Sequence, residues 1–499
     1  MEYNRSLIIL TCIGIYMLFC VAIGAWAMKR TRSTSDFFMA GRNLGVFVLG
    51  LAVFSSSLSG FGFIGGPGLV YRMGMSSIWL IVISALGYSF SFYIVGKRLR
   101  YFAELFESVS LPDLVAARYS SETTRFLAAI IILIGVVGYL AAQILAMAEV
   151  LRDLFANTES IGSLSIEWCV AISCFVLVFY CVSGGILASV YTDVWQGSVM
   201  AVASILVFFS AITAFEGGMA GIATTIMADD LEAIGPWGTL GMMACISWIF
   251  LFVLGNAGQP HLVTKFMMCR RLQDMKHILT VTFVGFSICA LLWISIGLVM
   301  RALVLTGAHP EIQSADHAAP QFLQFYAHPI LAGIVFAGLF AAIMSTADGF
   351  LNVGTAAVIH DIPRSLFNKS FENELLGARI VTVLIAFSAA LVALYSGQDL
   401  VALLGLIGWG IFAAALVPVV AIGFNWKRAT ATAANVAIIS SLLTNFLIRI
   451  ASLLGDFTIP YRIDPGAISL LVSMILFLTI SFLSTPPQLD PDIEIAMDL

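Results

Sequence analysis

The sequence predicts an all-α integral membrane protein of about thirteen transmembrane helices, and three observations predict it. Of 499 residues, 60% are hydrophobic and only 11% charged, whereas a soluble domain carries about 25% charged residues to cover its water-facing surface. Thirteen apolar runs are long enough, at about 20 residues each, to cross a hydrocarbon core. Lys and Arg are unevenly divided among the connecting segments. With the N-terminus outside, eighteen of the 24 fall in inner loops and six outside, the bias expected when basic loops stay in the cytoplasm. One missed or surplus helix would invert every later loop, so the bias supports the odd count and a cytoplasmic C-terminus. A net charge of −5 and the lack of any arginine-rich patch exclude a nucleic-acid partner.

In chain order the spans are 7–28, 44–71, 76–99, 125–156, 166–184, 189–215, 239–268, 275–303, 328–360, 378–396, 400–424, 430–451 and 465–484. The first is followed by its basic cluster, Lys29, Arg30, Arg32 and Arg42, whereas a secretory signal carries its charge ahead of a shorter apolar core. It reads as a retained helix. Lys97, Arg98, Arg100, Arg118 and Arg125 lie between the third and fourth spans on the inner side. Glu149 and Arg152, three apart near the outer end of the fourth, read as an exposed helix pair. Lys265, Arg270, Arg271 and Lys276 are assigned to the loop between spans seven and eight. Arg364, Lys369 and Arg379 follow span nine, and Lys427 and Arg428 follow span eleven. Arg5, Arg72, Arg152, Arg301, Arg449 and Arg462 are the outer six. No connecting segment is long enough for a soluble domain of its own. Residues 486–499 form a short polar cytoplasmic tail, expected to be mobile.

Two spans should not be continuous. The second contains Ser55-Ser-Ser-Leu-Ser-Gly-Phe-Gly-Phe-Ile-Gly-Gly-Pro-Gly68 and the seventh Leu254-Gly-Asn-Ala-Gly-Gln-Pro-His261. Each Gly costs a helix about 1 kcal/mol and each Pro about 3 relative to Ala. Both should unwind near their middles, and freed backbone groups must then line a protein-walled or wet cavity. The breaks lie five spans apart, an odd number, so spans 2–6 and 7–11 read as inverted copies, core repeats of about 44–215 and 239–424. The first helix and the last two are peripheral. Matched broken helices mark the midplane site of a secondary transporter.

In the ninth span Ala342, Ser345 and Thr346 are spaced i, i+3, i+4 and share a face. A helical hydroxyl can simply bond its own turn. Beside an unwound segment, hydroxyls and released carbonyls instead make the oxygen shell a hard cation takes, with no proton to exchange near neutral pH. Asp193, near the inner end of the sixth span, is a costly residue at that depth and reads as functional. His309 and His317 fall in the outer loop and read as solvated, while His360 and Asp361 cap the inner end of span nine without evident chemistry. Seven of the eight cysteines lie in apolar runs and none forms a C-x-x-C pair, so they read as small hydrophobes. With no nucleophile–base pair or metal cluster, the chain does not read as an enzyme.

These residues carry a resemblance to the sodium:solute symporter family, from the Asp36–Gly45 stretch to the eleventh span. It rests on Leu58-Ser-Gly60, Gly66-Pro-Gly68, Leu111-Pro-Asp113, Gly184-Gly185 with Thr192-Asp193, Gly258-Gln-Pro-His261 and Ser345-Thr-Ala-Asp348. The resemblance implies a thirteen-helix protein with a five-plus-five inverted-repeat, LeuT-like core in the cell membrane, coupling inward sodium flow to uptake of a small solute. It implies a sodium site made by the carbonyls of Ser55, Leu58 and Ala342 with the hydroxyls of Ser345 and Thr346. Asp193 matches an acidic residue on the sodium exit path or at a second sodium.

The solute would sit between the breaks, among Ser57, Ser59, Gly62, Phe252, Asn256, Gln259 and Pro260. Here the chain departs from its relatives. Ser57 stands where proline carriers have an essential aspartate, Phe252 and Asn256 replace their aromatic pair, and Ser57 and Gly62 replace an Asn and Gln of sugar carriers. These departures turn the expectation from proline and sugar toward an organic acid, a short carboxylate or an amino-acid-like solute. Sodium is the one ion implied, and a monomer is the working expectation. The alternative function is a transporter-like solute sensor signalling through a separate partner.

Overall fold

The computed structural model describes residues 2–29, 34–156, 164–369, 373–395, 401–455 and 459–498. Arg30 and Arg32 of the first basic cluster lie outside them. Among the described residues there is no β-strand, only an isolated bridge between Leu44 and Cys269. Among the described residues nine helices are long and apolar enough to cross a membrane, and a bent pair makes a tenth. Three further apolar helices are shorter, Val46–Ser57, Ile166–Phe179 and Gly408–Ile422.

The helices used below are α1 (Glu2–Met28), α2 (Val46–Ser57), α3 (Gly66–Met73), α4 (Ile78–Ser91), α5 (Lys97–Leu105), α6 (Leu111–Tyr119), α7 (Glu122–Ala156), α8 (Ile166–Thr213), α9 (Met242–Gly255), α10 (Pro260–Phe266), α11 (Met275–Leu305), α12 (Pro329–Ala356), α13 (Glu374–Tyr395), α14 (Val401–Leu416), α15 (Ala431–Leu453), α16 (Pro465–Leu483) and α17 (Pro491–Met497). Both expected breaks are present. α2 ends at Leu58, whose φ −101° and ψ 112° are extended. α9 ends in a short turn, and Gln259 (φ −77°, ψ 108°) leads into α10 across a 49° bend. Each break thus comes from one extended residue within a Gly-rich stretch, where helix propensity is lowest. Spans five and six, together α8, are two helices that meet at a kink at Gly185, with φ 56° and ψ −153°. A Cβ there would lie 2.6 Å from the Phe37 ring, so only glycine fits both the backbone and the space.

The core is apolar and continuous, and α12 runs through it with residues 335–352 almost entirely buried. Around it stand α2, α7, α8 and α10, so the two broken helices meet the hydroxyl-bearing helix in the interior. The backbone N–H of Leu44 donates to Met268 O at 3.2 Å and that of Arg270 to Leu44 O at 3.0 Å, which ties the start of the first broken span to the end of the second.

Several basic residues read as loop charges are buried. Arg118 donates to the Gly423 and Trp426 carbonyls at 2.9 Å each, and Arg125 pairs with Asp113. Both satisfy backbone or carboxylate groups at helix ends rather than facing water. His360 and Asp361 belong to the same network. His360 Nε2 lies 2.9 Å from Asp113 Oδ2, and the Ser110 hydroxyl donates to Asp361 Oδ1 at 2.6 Å. Burial alone would raise the Asp113 carboxyl, but the His360 hydrogen bond and charge and the Arg125 guanidinium outweigh it and hold the carboxyl at about 2. The C-terminal tail is also docked rather than loose. α17 buries Ile493, Ala496 and Met497, its Met497 carbonyl accepts from Arg98 at 3.1 Å, and Asp498 pairs with Lys427 at 3.0 Å. The i, i+3, i+4 apolar face of the tail gives it a surface to bury.

At the opposite end His309 is not solvated. It is 6% exposed and contacts Tyr326 Oη at 3.1 Å and Gln321 Oε1 at 2.8 Å. The Glu149–Arg152 pair forms at 2.5 Å and is partly covered. His317 Nδ1 lies 2.6 Å from Asp153 Oδ2, tying the segment after α11 to α7. That hydrogen bond, with burial opposing it, raises the imidazole above its ordinary 6.5. A histidine whose pKa is raised on folding contributes stability in full below about 6.5 and loses it as pH rises through the raised value. Amide exchange of residues 315–318, corrected for its intrinsic pH dependence, should therefore be faster at pH about 9 than at pH about 6. Asp153→Asn should remove the difference, and equal protection at both pH values in the wild type would show that the tie does not depend on charge.

Candidate functional site

The five residues expected at an ion site converge. α12 presents Ser345 and Thr346 toward the open end of α2. Ser345 Oγ donates to Ser55 O at 2.9 Å and lies 3.4 Å from Ala342 O, and Thr346 Oγ1 lies 3.1 Å from Ser56 O and 3.2 Å from Leu58 O. The Ser56 hydroxyl returns the contact, donating to Ser345 O at 3.1 Å. Ser55, Ser345 and Thr346 are all 0% exposed. Carbonyls at the broken end of α2 are satisfied by these two hydroxyls from α12, Ser55 O also accepting from the Leu58 N–H at 3.2 Å. The same hydroxyls could turn their lone pairs to a cation and leave the carbonyls as its further ligands, which is why this set suits a hard ion.

Asp193 stands beside this cluster on the buried polar face of α8, with Ser189, Thr192 and Gln196. Its Oδ2 is 2.7 Å from Lys265 Nζ. The ammonium also donates to Ala52 O at 3.0 Å and to the Ser56 hydroxyl. Lys265 was read as a loop charge, yet it lies on α10 and is 1% exposed. A lysine within the apolar run 239–268 is an intramembrane charge, and that was the signal that could have found it. Ser189 donates to a second buried carboxylate, Asp348 Oδ1, at 2.7 Å.

The residues expected to hold the solute do not all meet. Ser57 turns back on its own helix, donating to Phe54 O at 2.6 Å. Ser59 contacts Tyr139 Oη at 3.1 Å, and the neighbouring Gly60 N–H donates to Gln143 Oε1 at 2.8 Å. A Cβ on Gly62 would lie 2.5 Å from Trp293, which packs directly on the helical turn after the break. At the other break Phe252 stacks on Trp409, ring centroids 5.2 Å apart. Asn256 Nδ2 donates to Ser84 O at 3.2 Å and Phe252 O at 3.0 Å. Gln259 Nε2 reaches Gly255 O and Trp409 O at 3.3 Å each. Pro260 opens α10. Tyr139, Gln143 and Trp409 were missed. Gln143 is an amide in the middle of an apolar run, which could have singled it out, but nothing local marks the two aromatics.

Several buried polar atoms near the breaks lack a partner, namely the donors Gln143 Nε2 and Trp409 Nε1 and the acceptors Asn256 Oδ1 and Gln259 Oε1. A small cavity of about 10 Å³, room for about one water, lies beside α10, lined by Thr264, Ser110, Ile132 and Asn352 among others.

The family model of the sodium:solute symporters matches residues 37–440. The chain belongs to the sodium:solute symporter family. It is therefore a sodium-coupled solute symporter and not an enzyme. The symporter is 28% identical to the osmoregulated proline transporter OpuE of Bacillus subtilis, over 97% of this chain and 96% of that protein. It is also 28% identical to the sodium/proline symporter of Escherichia coli, over 96% and 93%. Among solved structures, a Na+-coupled sialic acid symporter in a substrate-bound outward-open state superposes with a TM-score of 0.77 at 19% identity, covering 97% of this chain and 99% of that one. The nucleobase-cation-symport-1 transporter Mhp1, in a closed conformation, gives 0.57 at 14% identity, over 94% and 99%. At such identities the likeness speaks to fold alone, and the fold of the symporter is LeuT-like.

Proposed function

We propose that the symporter carries a small carboxylate-bearing solute, an organic acid or an amino-acid-like molecule, inward with sodium by alternating access. The observation that carries the reading is the convergence of the Ser345 and Thr346 hydroxyls on the Ser55, Ser56 and Leu58 carbonyls. Sodium entering from outside would bind the carbonyls of Ser55, Leu58 and Ala342 and these two hydroxyls. It would thereby fasten the broken end of α2 to α12. The solute would sit between the two breaks, where Ser57, Ser59, Gly62, Phe252, Asn256, Gln259 and Pro260 line the path. Fixing the first break orders one wall of that space, and reciprocal coupling requires that solute tighten sodium in return.

The unpaired donors Gln143 Nε2 and Trp409 Nε1 suit carboxylate oxygens, and the unpaired acceptors Asn256 Oδ1 and Gln259 Oε1 suit an ammonium or hydroxyl. A site with both favours a solute bearing both kinds of group. Thirteen crossings, with the N-terminus outside, agree with the docking of α17 at the end of the molecule where Arg98, Arg118, Arg125 and Lys427 collect. A charge crossing 100 mV gains about 2.3 kcal/mol and a tenfold sodium gradient adds about 1.4. One sodium could therefore concentrate a neutral solute several hundredfold.

A thermal-stability screen of carboxylates and amino acids, with sodium and with choline, tests the reading. The true solute should raise Tm more in sodium, and should then exchange by counterflow in proteoliposomes. Binding with no counterflow would mark a sensor instead, and stabilisation equal in choline would sink sodium coupling at this site.

A further inference from the structure

Asp193 and Lys265 form a charged pair with side-chain exposures of 0% and 1%. The Lys265 ammonium is surrounded by Asp193 Oδ2 at 2.7 Å, Ala52 O at 3.0 Å and the Ser56 hydroxyl. A carboxylate, a carbonyl and a hydroxyl are the donor set of a hard cation, and here a tethered cation occupies it. The place adjoins the proposed sodium site, because Ser56 also donates to Ser345 O at 3.1 Å and its carbonyl accepts from Thr346.

We propose that the Lys265 ammonium permanently fills the position a second sodium would take beside Asp193, so that the symporter binds one sodium per cycle. The inference rests on the sodium site proposed above and fixes its stoichiometry. A carboxylate taken out of water must be compensated by a cation. The lysine does so without the translational cost that a free ion bears on binding. A second sodium at Asp193 would have to push the ammonium away from its three oxygens, leaving it charged and poorly solvated in a dry interior. That exchange removes as much compensation as it adds, so the carboxylate stays with the lysine throughout the cycle. A neutral side chain at position 265 would instead open Asp193 to a second ion.

The test is equilibrium binding of radioactive sodium to the purified full-length protein, with choline balancing ionic strength. The wild type is expected to saturate at one ion per chain with a Hill coefficient near one, and Lys265→Arg to do the same. Lys265→Met should rise to two ions with a coefficient above one. The paired variant Asp193→Asn with Lys265→Met, which strands no charge and stays informative if the single variant fails to fold, should return to one. Two ions on the wild type, or one on Lys265→Met, overturns the inference. So does loss of all binding in the paired variant, because the single ion would then depend on Asp193 itself. Failure of the sodium-site reading looks different: one ion per chain, with an affinity indifferent to Ser345→Ala and Thr346→Ala.

Discussion

Replacing Ser345 and Thr346 together by alanine should raise the sodium concentration for half-maximal uptake by about a hundredfold. Each hydroxyl that faces an ion's full charge is worth roughly 1.5 kcal/mol, and two such losses come to about 3 kcal/mol, or two powers of ten in affinity. The effect should be asymmetric. Maximal uptake at saturating sodium should fall far less than affinity, because the variants remove binding to the driving ion and leave the solute contacts in place. Ser314→Ala, at the head of the 315–317 turn, is the control and should leave sodium dependence unchanged. Thr346→Ser, which keeps the oxygen and drops a methyl, should stay near the wild type. Unaltered sodium dependence in the double alanine variant would mean that the hydroxyls serve only to satisfy the Ser55, Ser56 and Leu58 carbonyls.

The parts of this site that were legible in the sequence depend on neighbours along the chain. Gly and Pro destabilise the turn in which they stand, so the breaks at Leu58 and Gln259 could be placed before any contact was known. The shared face of Ala342, Ser345 and Thr346 follows from the pitch of a helix. What escaped depends on partners distant in sequence. Lys265 looks like a loop charge until α10 is seen to run back into the core, and its partner Asp193 is 72 residues away. Arg118 and Arg125 were counted as cytoplasmic surface because no local pattern reveals that one caps the Gly423 and Trp426 carbonyls and the other meets Asp113. Ser57 is expected to face the solute because it sits in the broken stretch, and its hydroxyl makes a local bond to Phe54 O of the last turn of α2 that no sequence pattern announces. The docked tail is a different case, since the pattern Ile493, Ala496, Met497 was there to be read, and a short Pro- and Asp-rich segment disguised it.

Lys265→Met should destabilise the protein in sodium-free buffer by about 3–5 kcal/mol, the range for removing one member of a buried ion pair. The loss comes from what remains, an Asp193 carboxylate at 0% exposure with its ammonium gone. Asp193→Asn should cost a similar amount for the converse reason, leaving the Lys265 ammonium buried among neutral oxygens with no counter-charge. Combining the two should recover most of the loss, because no charge is then left buried. The two single effects therefore cannot add, and a double-mutant cycle on Tm should give a coupling larger than that between distant sites, which usually agree within about 0.5 kcal/mol. Sodium supplies a second axis. It should stabilise Lys265→Met more steeply than the wild type, since an ion that binds only the folded chain adds RT ln(1 + [L]/Kd) for each site it fills. If the single variants were each mild and their effects summed in the double, the pair would carry no buried charge. Asp193 would then be a protonated carboxyl and Lys265 an uncharged amine, the two sharing a neutral hydrogen bond.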